Sequence, residues 1–281
     1  MEALRQVDGW PAENAAVGVV AEGRMLARHG ETDREFRWAS VTKLVSALAV
    51  LVAAEEGTVD LDEPAGPPGA TVRHLLAHTS GLPFEGRDPI ARPGTRRIYS
   101  NAGFEVLAEF VEARAAMPFA DYLREAVFEP LGMEARLEGS AGAGAHGLLE
   151  DVLRLARELL EPTVVAPETL AEATTVQFPG LDGVIPGIGR FDPNDWGLGF
   201  ELRDRKPGHW TGERPSERTF GHFGGSGTFL WVDPASGLAV ACLTDHEFGD
   251  WALDAWPRLS DDVVEELEEA GARLRSSSEV D

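Results

Sequence analysis

The sequence predicts an α/β (α+β) fold in which a helical domain is inserted into a sheet-containing one. Three observations predict it. Strand-like apolar runs lie near the start of the chain and return only after Trp196. Between about 58 and 189 the texture is helical, with Pro and Gly punctuation and few strand signals. Where the first strand-like region ends, the run Leu44 to Ala54 carries no charge and is apolar nearly all round, as a central buried helix is. The expected division is a sheet-containing domain from 1–60 and 190–281, and a helical insertion domain over 61–189.

Taken in order, residues 2–8 have the pattern of a short helix stopped by Gly9 and Pro11. Residues 15–21 and 24–29 read as two strands joined by the tight Glu22-Gly23 turn, and Glu35 to Trp38 as a short third. The apolar helix follows and is closed by Gly57. A helical segment covers Thr71 to His78, and a polar loop then delivers Ile98-Tyr99-Ser100-Asn101. Further helices are expected at about 102–116, 118–127 and 147–160, the last with Leu148, Val152, Leu155, Ala156 and Leu159 in helical register. Strands are expected at 196–202, 228–232 and 238–244, the latter two joined as a hairpin, and a last helix over about 250–271.

The 281 residues suffice for a substantial core. A formal net charge of -23 makes nucleic acid and anionic membrane surfaces poor partners and leaves a small molecule as the expected one. The single cysteine, Cys242, lies in an apolar run and reads as a buried strand residue. The N-terminal residues show neither a basic nor an apolar signal region, so the expected location is cytoplasmic.

Three stretches carry residue types that could build one site: Ser40-x-x-Lys43, Tyr99-Ser100-Asn101 and Gly221-His222-Phe223-Gly224-Gly225-Ser226-Gly227. Ser40 stands where a turn meets a helix, and a residue three positions on shares its face, so the Lys43 amine falls within reach of the hydroxyl. A buried lysine loses its proton readily and can then act as a base toward serine. A tyrosine oxygen can relay a proton, an asparagine amide can hold the lysine and a substrate carbonyl, and a glycine-rich turn can offer a backbone amide to an oxyanion.

With these motifs, the chain resembles the serine β-lactamase and penicillin-binding DD-peptidase superfamily, in its class C-like branch, which also contains esterases. His74 to Pro83, Pro130-Leu131-Gly132-Met133 and Trp196 to Phe200 are similar to further stretches of that family, in the same order along the chain. The resemblance implies a mixed, mainly antiparallel sheet flanked by helices, with an all-helical insertion and the site in the crevice between. It implies Ser40 as the acylated nucleophile, Lys43 as base or its electrostatic support, and Tyr99 as proton relay. Asn101 would position substrate, His222 would take the place of a basic residue, and the amides of Ser40 and Gly225 would form the oxyanion hole. Neither a metal nor an organic cofactor is expected. Phe223 departs from the family, which usually has a hydroxyl residue there that helps bind a substrate carboxylate. A phenyl ring cannot do so, which tilts the expectation toward neutral esters or amides.

Other signals have plainer readings. His74 and His78 have zinc-helix spacing, but Leu75 stands where a catalytic glutamate is needed, so structural histidines are expected. Gly142 to Gly147 matches a dinucleotide-loop pattern without the strand such a loop needs, and reads as a flexible loop. Trp196, Phe200 and Trp231 are expected in the core. The expected function is therefore an ester or amide hydrolase working through Ser40, with a β-lactamase or DD-peptidase as the alternative. A non-hydrolytic ligand-binding module on the same fold is the alternative of another kind.

Overall fold

The computed structural model describes residues 1–278, with side chains through residue 272. Its main sheet has six strands, all antiparallel, which in order across the sheet are residues 24–30, 15–21, 238–244, 228–233, 220–224 and 201–202. The first two are β1 (Ala15–Ala21) and β2 (Arg24–Gly30). They are joined at Glu22 and Gly23, both with positive φ, the geometry that a two-residue hairpin turn needs to match strand twist. The others come from the far end of the chain: β9 (Glu201–Leu202), β10 (Phe220–Gly224), β11 (Thr228–Asp233) and β12 (Leu238–Thr244).

Both faces of this sheet are covered, and the alternation of side chains along each strand sorts the core in two. Val17, Val19, Phe229, Trp231 and Cys242 pack with Leu4 and Val7 of a 3-10 turn (Ala3–Gly9) and with Trp256, Leu259 and Val263 of the last helix. Ala16, Val20, Leu230, Val232 and Ala241 face the larger cluster on the other side. At its centre runs α1 (Thr42–Glu55), buried at every position from Thr42 to Ala53. The absence of charge between Leu44 and Ala54 is thus explained by burial all round.

Between the sheet's halves lie α2 (Val72–Leu76), α3 (Asn101–Ala115), α4 (Phe119–Leu123, continued by a π-helical turn to Phe128), α5 (Leu149–Leu160) and α6 (Pro167–Ala173). Helices are not all that this stretch contains. β4 (Arg97–Ile98), β7 (Gly183–Ile185) and β8 (Gly189–Phe191) form one small sheet, in which β4 and β7 run parallel. β3 (Phe36–Arg37), β6 (Ala145–Gly147) and β5 (Arg136–Leu137) form another. These two- and three-residue strands carry too few residues for an alternation to show in the sequence. The last helix, α7, runs from Asp250 to Ser278 with Pro257 inside it. Among the described residues no helix is long and apolar enough to cross a membrane.

The strand expected at 196–202 is confined to Glu201–Leu202. Its first half is instead a tight turn, with Leu198 N donating to Ala173 O and Gly199 N to Leu76 O. Gly199 has φ +86°, and a Cβ there would lie 2.3 Å from the Cβ of Ala47 in α1. Glycine allows this loop to lie directly on the central helix.

Candidate active site

Ser40 lies in a single 3-10 turn (Ala39–Val41) that runs straight into α1. The residue before it, Ala39, has φ +45°, an unfavourable backbone state for a residue with a Cβ, which the surroundings must enforce. They do so from the β10–β11 turn: Thr228 Oγ1 donates to Trp38 O at 2.8 Å and Ser226 Oγ to Arg37 O at 2.8 Å. The hairpin is thereby fastened to the segment that carries Ser40. Thr42 N donates to Ala39 O, and Gly227 N to Gly224 O at 3.0 Å. Because the N–H of a trans peptide points opposite its C=O, both bonds fix the directions of the Ser40 and Gly225 amides.

Lys43 is fully buried in the first turn of α1. Its Nζ lies 2.6 Å from Asn101 Oδ1, 2.8 Å from Gly142 O and 3.3 Å from Ser40 Oγ. The ammonium ion can donate to all three. The neutral amine has two protons, which the two carbonyl oxygens take, so that its lone pair is left facing the Ser40 hydroxyl. Burial brings the Lys43 pKa down to about 7, with Glu105 pulling in the opposite direction. Both protonation states are therefore accessible near neutrality. The amine also lies over the rings of Tyr99 and Phe104, at 4.8 and 5.4 Å.

Tyr99 and Asn101 are brought to Lys43 by the stretch His74 to Pro83. Ile98 N donates to His78 O, Ser100 N to His78 Nδ1 and Ser100 Oγ to Pro83 O. Ser100 also caps α3, accepting from Gly103 N, so Asn101 opens that helix with its side chain on Lys43. His78 thus serves as backbone support, and His74 pairs through Nδ1 with Thr71 Oγ1. Among the described residues no group of three or more His, Cys, Asp or Glu side chains is placed to hold a metal ion.

The Tyr99 hydroxyl lies 3.4 Å from His222 Nε2, and both side chains line the cavity that Ser40 also lines. Desolvation raises the Tyr99 pKa well above the usual phenol range. His222, on β10, is buried and donates from Nδ1 to Phe223 O at 2.7 Å, which leaves Nε2 as the acceptor for Tyr99. Desolvation, and then the charge of Lys43, press its pKa down to about 3. His222 is thus a neutral hydrogen-bond acceptor here and not the cation that a basic residue at this place would be.

A cavity of about 250 Å³ opens beside Ser40, lined on one wall by Phe84, Tyr99 and Trp196 and on another by His222, Phe223 and Phe248. The structure therefore brings Ser40, Lys43, Tyr99, Asn101, His222 and Gly225 to one place. Phe223 is locked among Phe248, Trp210 and Trp256, with ring centroids at 4.9, 5.6 and 5.7 Å.

Two parts of the site escaped the sequence reading. The loop taken as flexible, 142–147, is instead built into the core: Gly142 O binds Lys43, and Ala141 O accepts from Ser46 Oγ at 2.6 Å. The other is Glu201, buried on the cavity wall, whose carboxylate is met by Lys206 Nζ (2.7 Å), His209 Nε2 (2.9 Å) and Trp210 Nε1 (2.6 Å). Those contacts hold its pKa far below the usual carboxylate range against the cost of burial. A signal was present, since Lys43 and Lys206 are the only two lysines in the chain, and both are buried.

A sequence model of the family described as Beta-lactamase matches residues 8–136 and 134–264. The solved structure of a beta-lactamase from Mycobacterium bovis is 57% identical, with TM-score 0.93 over 94% of this chain and 98% of that one. Esterase EstB from Burkholderia gladioli is 27% identical over 84% of this chain and 88% of its own. Penicillin-binding protein 4* from Bacillus subtilis is 26% identical over 55% of this chain, a match that spans 41% of that longer protein.

Proposed function

The chain belongs to the beta-lactamase family, and from that premise we propose that it is a serine hydrolase that cleaves a small ester or amide through an acyl-enzyme on Ser40. One observation carries this reading. Lys43 is held in a dry site by two carbonyl oxygens, and its third hydrogen-bonding direction faces Ser40 Oγ at 3.3 Å. A pure binding module has no need of an amine poised between its two protonation states.

In the proposed cycle Ser40 Oγ attacks the substrate carbonyl carbon and gives up its proton to Lys43. The developing oxyanion is held by the amides of Ser40 and Gly225. The Asn101 carbonyl is occupied by Lys43, so its NH2 group is the donor toward the substrate. The bond to the leaving oxygen or nitrogen then breaks, that atom takes a proton from Tyr99, and Lys43 makes good the loss by returning the Ser40 proton to Tyr99. The net change so far is one serine ester formed and one alcohol or amine released. Water then attacks the ester carbonyl, the bond from that carbon to Ser40 Oγ breaks, one proton of the water returns to Oγ, and the free acid leaves. In this reading the chain forms two lobes, 1–60 with 190–281 and 61–189. It is supported by the main sheet taking its strands from both ends of the chain.

A β-lactam is the second candidate substrate, favoured by the 57% identity to a protein described as a beta-lactamase. Against it stands Phe223, which offers no hydroxyl to a carboxylate. Intact-mass measurement after incubation with a fluorophosphonate and, separately, with a penicillin decides between them, with Ser40→Ala as control. A phosphonyl adduct without a penicilloyl one is the expected result. Penicillin adduct or turnover would move the assignment to β-lactams, and labelling by neither would leave a binding module.

A further inference from the structure

The cavity beside Ser40 is notable for the charges that its wall lacks. Three titratable side chains line it: Tyr99, His222 and Glu201. Tyr99 keeps its proton, and His222 is uncharged with its Nδ1 proton given to Phe223 O. Both Glu201 oxygens are taken by Lys206, His209 and Trp210, so that its charge is neutralised within the wall. Among the described residues that line the cavity there is no arginine or lysine, and the remaining wall is mostly aromatic and aliphatic. Neither Lys43 nor Asn101 belongs to it.

The position of Tyr99 says which half of a substrate would enter. On the acyl-enzyme reading, on which this inference rests, Tyr99 hands its proton to the departing atom. The departing group must then lie on the side of Tyr99 and His222, and that is where the cavity opens. The acyl half is left to the side of Asn101. We infer that this cavity is a leaving-group pocket that takes an uncharged, preferably aromatic, alcohol or amine and excludes one that bears a carboxylate.

Size and rigidity agree with that assignment. An apolar cavity of about 150 Å³ suffices to hold benzene, so 250 Å³ has room for a substituted ring. The Phe223 wall cannot swing away, since Trp210 and Trp256 stand behind it and Trp210 is tethered to Glu201 through Nε1. A carboxylate pushed into this space would be stripped of water and meet no cation. The mouth extends the apolar character outward, with the lining residue Phe84 46% exposed.

The test compares two butyrate esters, those of para-cresol and of para-hydroxyphenylacetic acid, whose phenols are nearly equal in acidity, so that the intrinsic chemistry is matched. The neutral ester should exceed the anionic one in kcat/KM by about 100-fold, as an unpaired buried carboxylate requires. Phenyl hydrogen succinate, with its carboxylate on the acyl side, should lose much less relative to phenyl butyrate. Phe84→Arg, at a position exposed enough to carry charge, should narrow the leaving-group gap by about tenfold. Free para-cresol should slow phosphonylation of Ser40, and para-hydroxyphenylacetate should not, a readout that needs no turnover.

Discrimination below about threefold, or an acyl-side loss as large as the leaving-group loss, overturns the pocket assignment while the hydrolase reading stands. Absence of both ester turnover and Ser40 phosphonylation overturns both.

Discussion

The lysine pKa makes the most exposed prediction, because it ties a rate to a burial. If Lys43 takes the Ser40 proton, acylation requires the neutral amine. With a pKa of about 7, kcat/KM for a neutral ester should rise about tenfold per pH unit below that value and level off above it. Glu105 favours the charged form, so Glu105→Gln should move the midpoint to lower pH. Lys43→Met, which keeps the bulk and removes the base, should cost about 100- to 10,000-fold in acylation. The same burial has a signed effect on stability. Folding lowers the pKa from 10.5 to about 7, so between these values the unfolded chain binds more protons and stability rises with pH. Below about 7 the full penalty of the buried charge is present, of order 5 kcal/mol as an upper figure, and it is relieved as pH rises toward 10.5. The stability of Lys43→Met relative to the parent should therefore be greatest near about pH 6 and shrink toward about pH 10, while the two unpaired carbonyls it leaves cost a constant amount. Stopped-flow ester hydrolysis and urea melts across that range read both effects. A rate independent of pH between about 5 and 9, or an acid limb with its midpoint near the ordinary lysine value, would refute the assignment of Lys43 as base.

His222→Asn tests the charge state of the imidazole. Asparagine can still accept from Tyr99, so the rate should fall by no more than about tenfold and the acid limb should keep its midpoint, whereas a displaced midpoint would mean that His222 is charged in the working range. Glu201→Gln breaks a buried pair with Lys206 and should cost about 3–5 kcal/mol in a urea melt; a loss under about 1 kcal/mol would show that the cluster is not structural. Gly199→Ala meets both a φ of +86° and the Ala47 Cβ, and should destabilise by about 2–4 kcal/mol, with unchanged stability contradicting the close packing described.

What could be read in the sequence was what local pattern controls. The uncharged run Leu44 to Ala54 announced a helix buried all round, and the apolar run Thr228 to Val232 announced a strand, which the structure buries on both faces. The pairing of Ser40 with Lys43 followed from helical spacing alone. Contributions made by main-chain atoms could not be read in this way. Gly142 offers no side chain, and only the fold brings its carbonyl 99 residues back to Lys43. The extent of the strand before Glu201 was misjudged for a related reason: Gly197 and Gly199 lie in an apolar alternation, but the space they vacate is filled by Ala173 O and Ala47. The Glu201 cluster lay in plain view as charged residues in or near an apolar run, yet a buried ion pair and a solvated loop have the same composition until burial is known.

The same burial that lowers the Lys43 pKa decides how charge is handled during reaction. Before attack, His222 is neutral, Tyr99 is neutral, and Glu201 is cancelled by Lys206, so that the site holds no net charge when Lys43 is unprotonated. Proton transfer from Ser40 creates the ammonium ion at the moment the oxyanion forms. The two new charges arise close together in a medium that screens them weakly, and each stabilises the other. Had Lys43 begun as a cation, the site would have held the attracting charge without the base. Had it been solvated, the ion pair would have gained little over water. An acidic protein surface does not disturb this balance, because charges beyond about 10 Å through solvent are screened by salt. It follows that raising ionic strength to about 1 M should leave acylation by a neutral ester nearly unchanged, although it should alter the encounter rate of charged substrates. A fall of tenfold or more with the neutral ester would mean that the reacting charges are open to solvent and not buried.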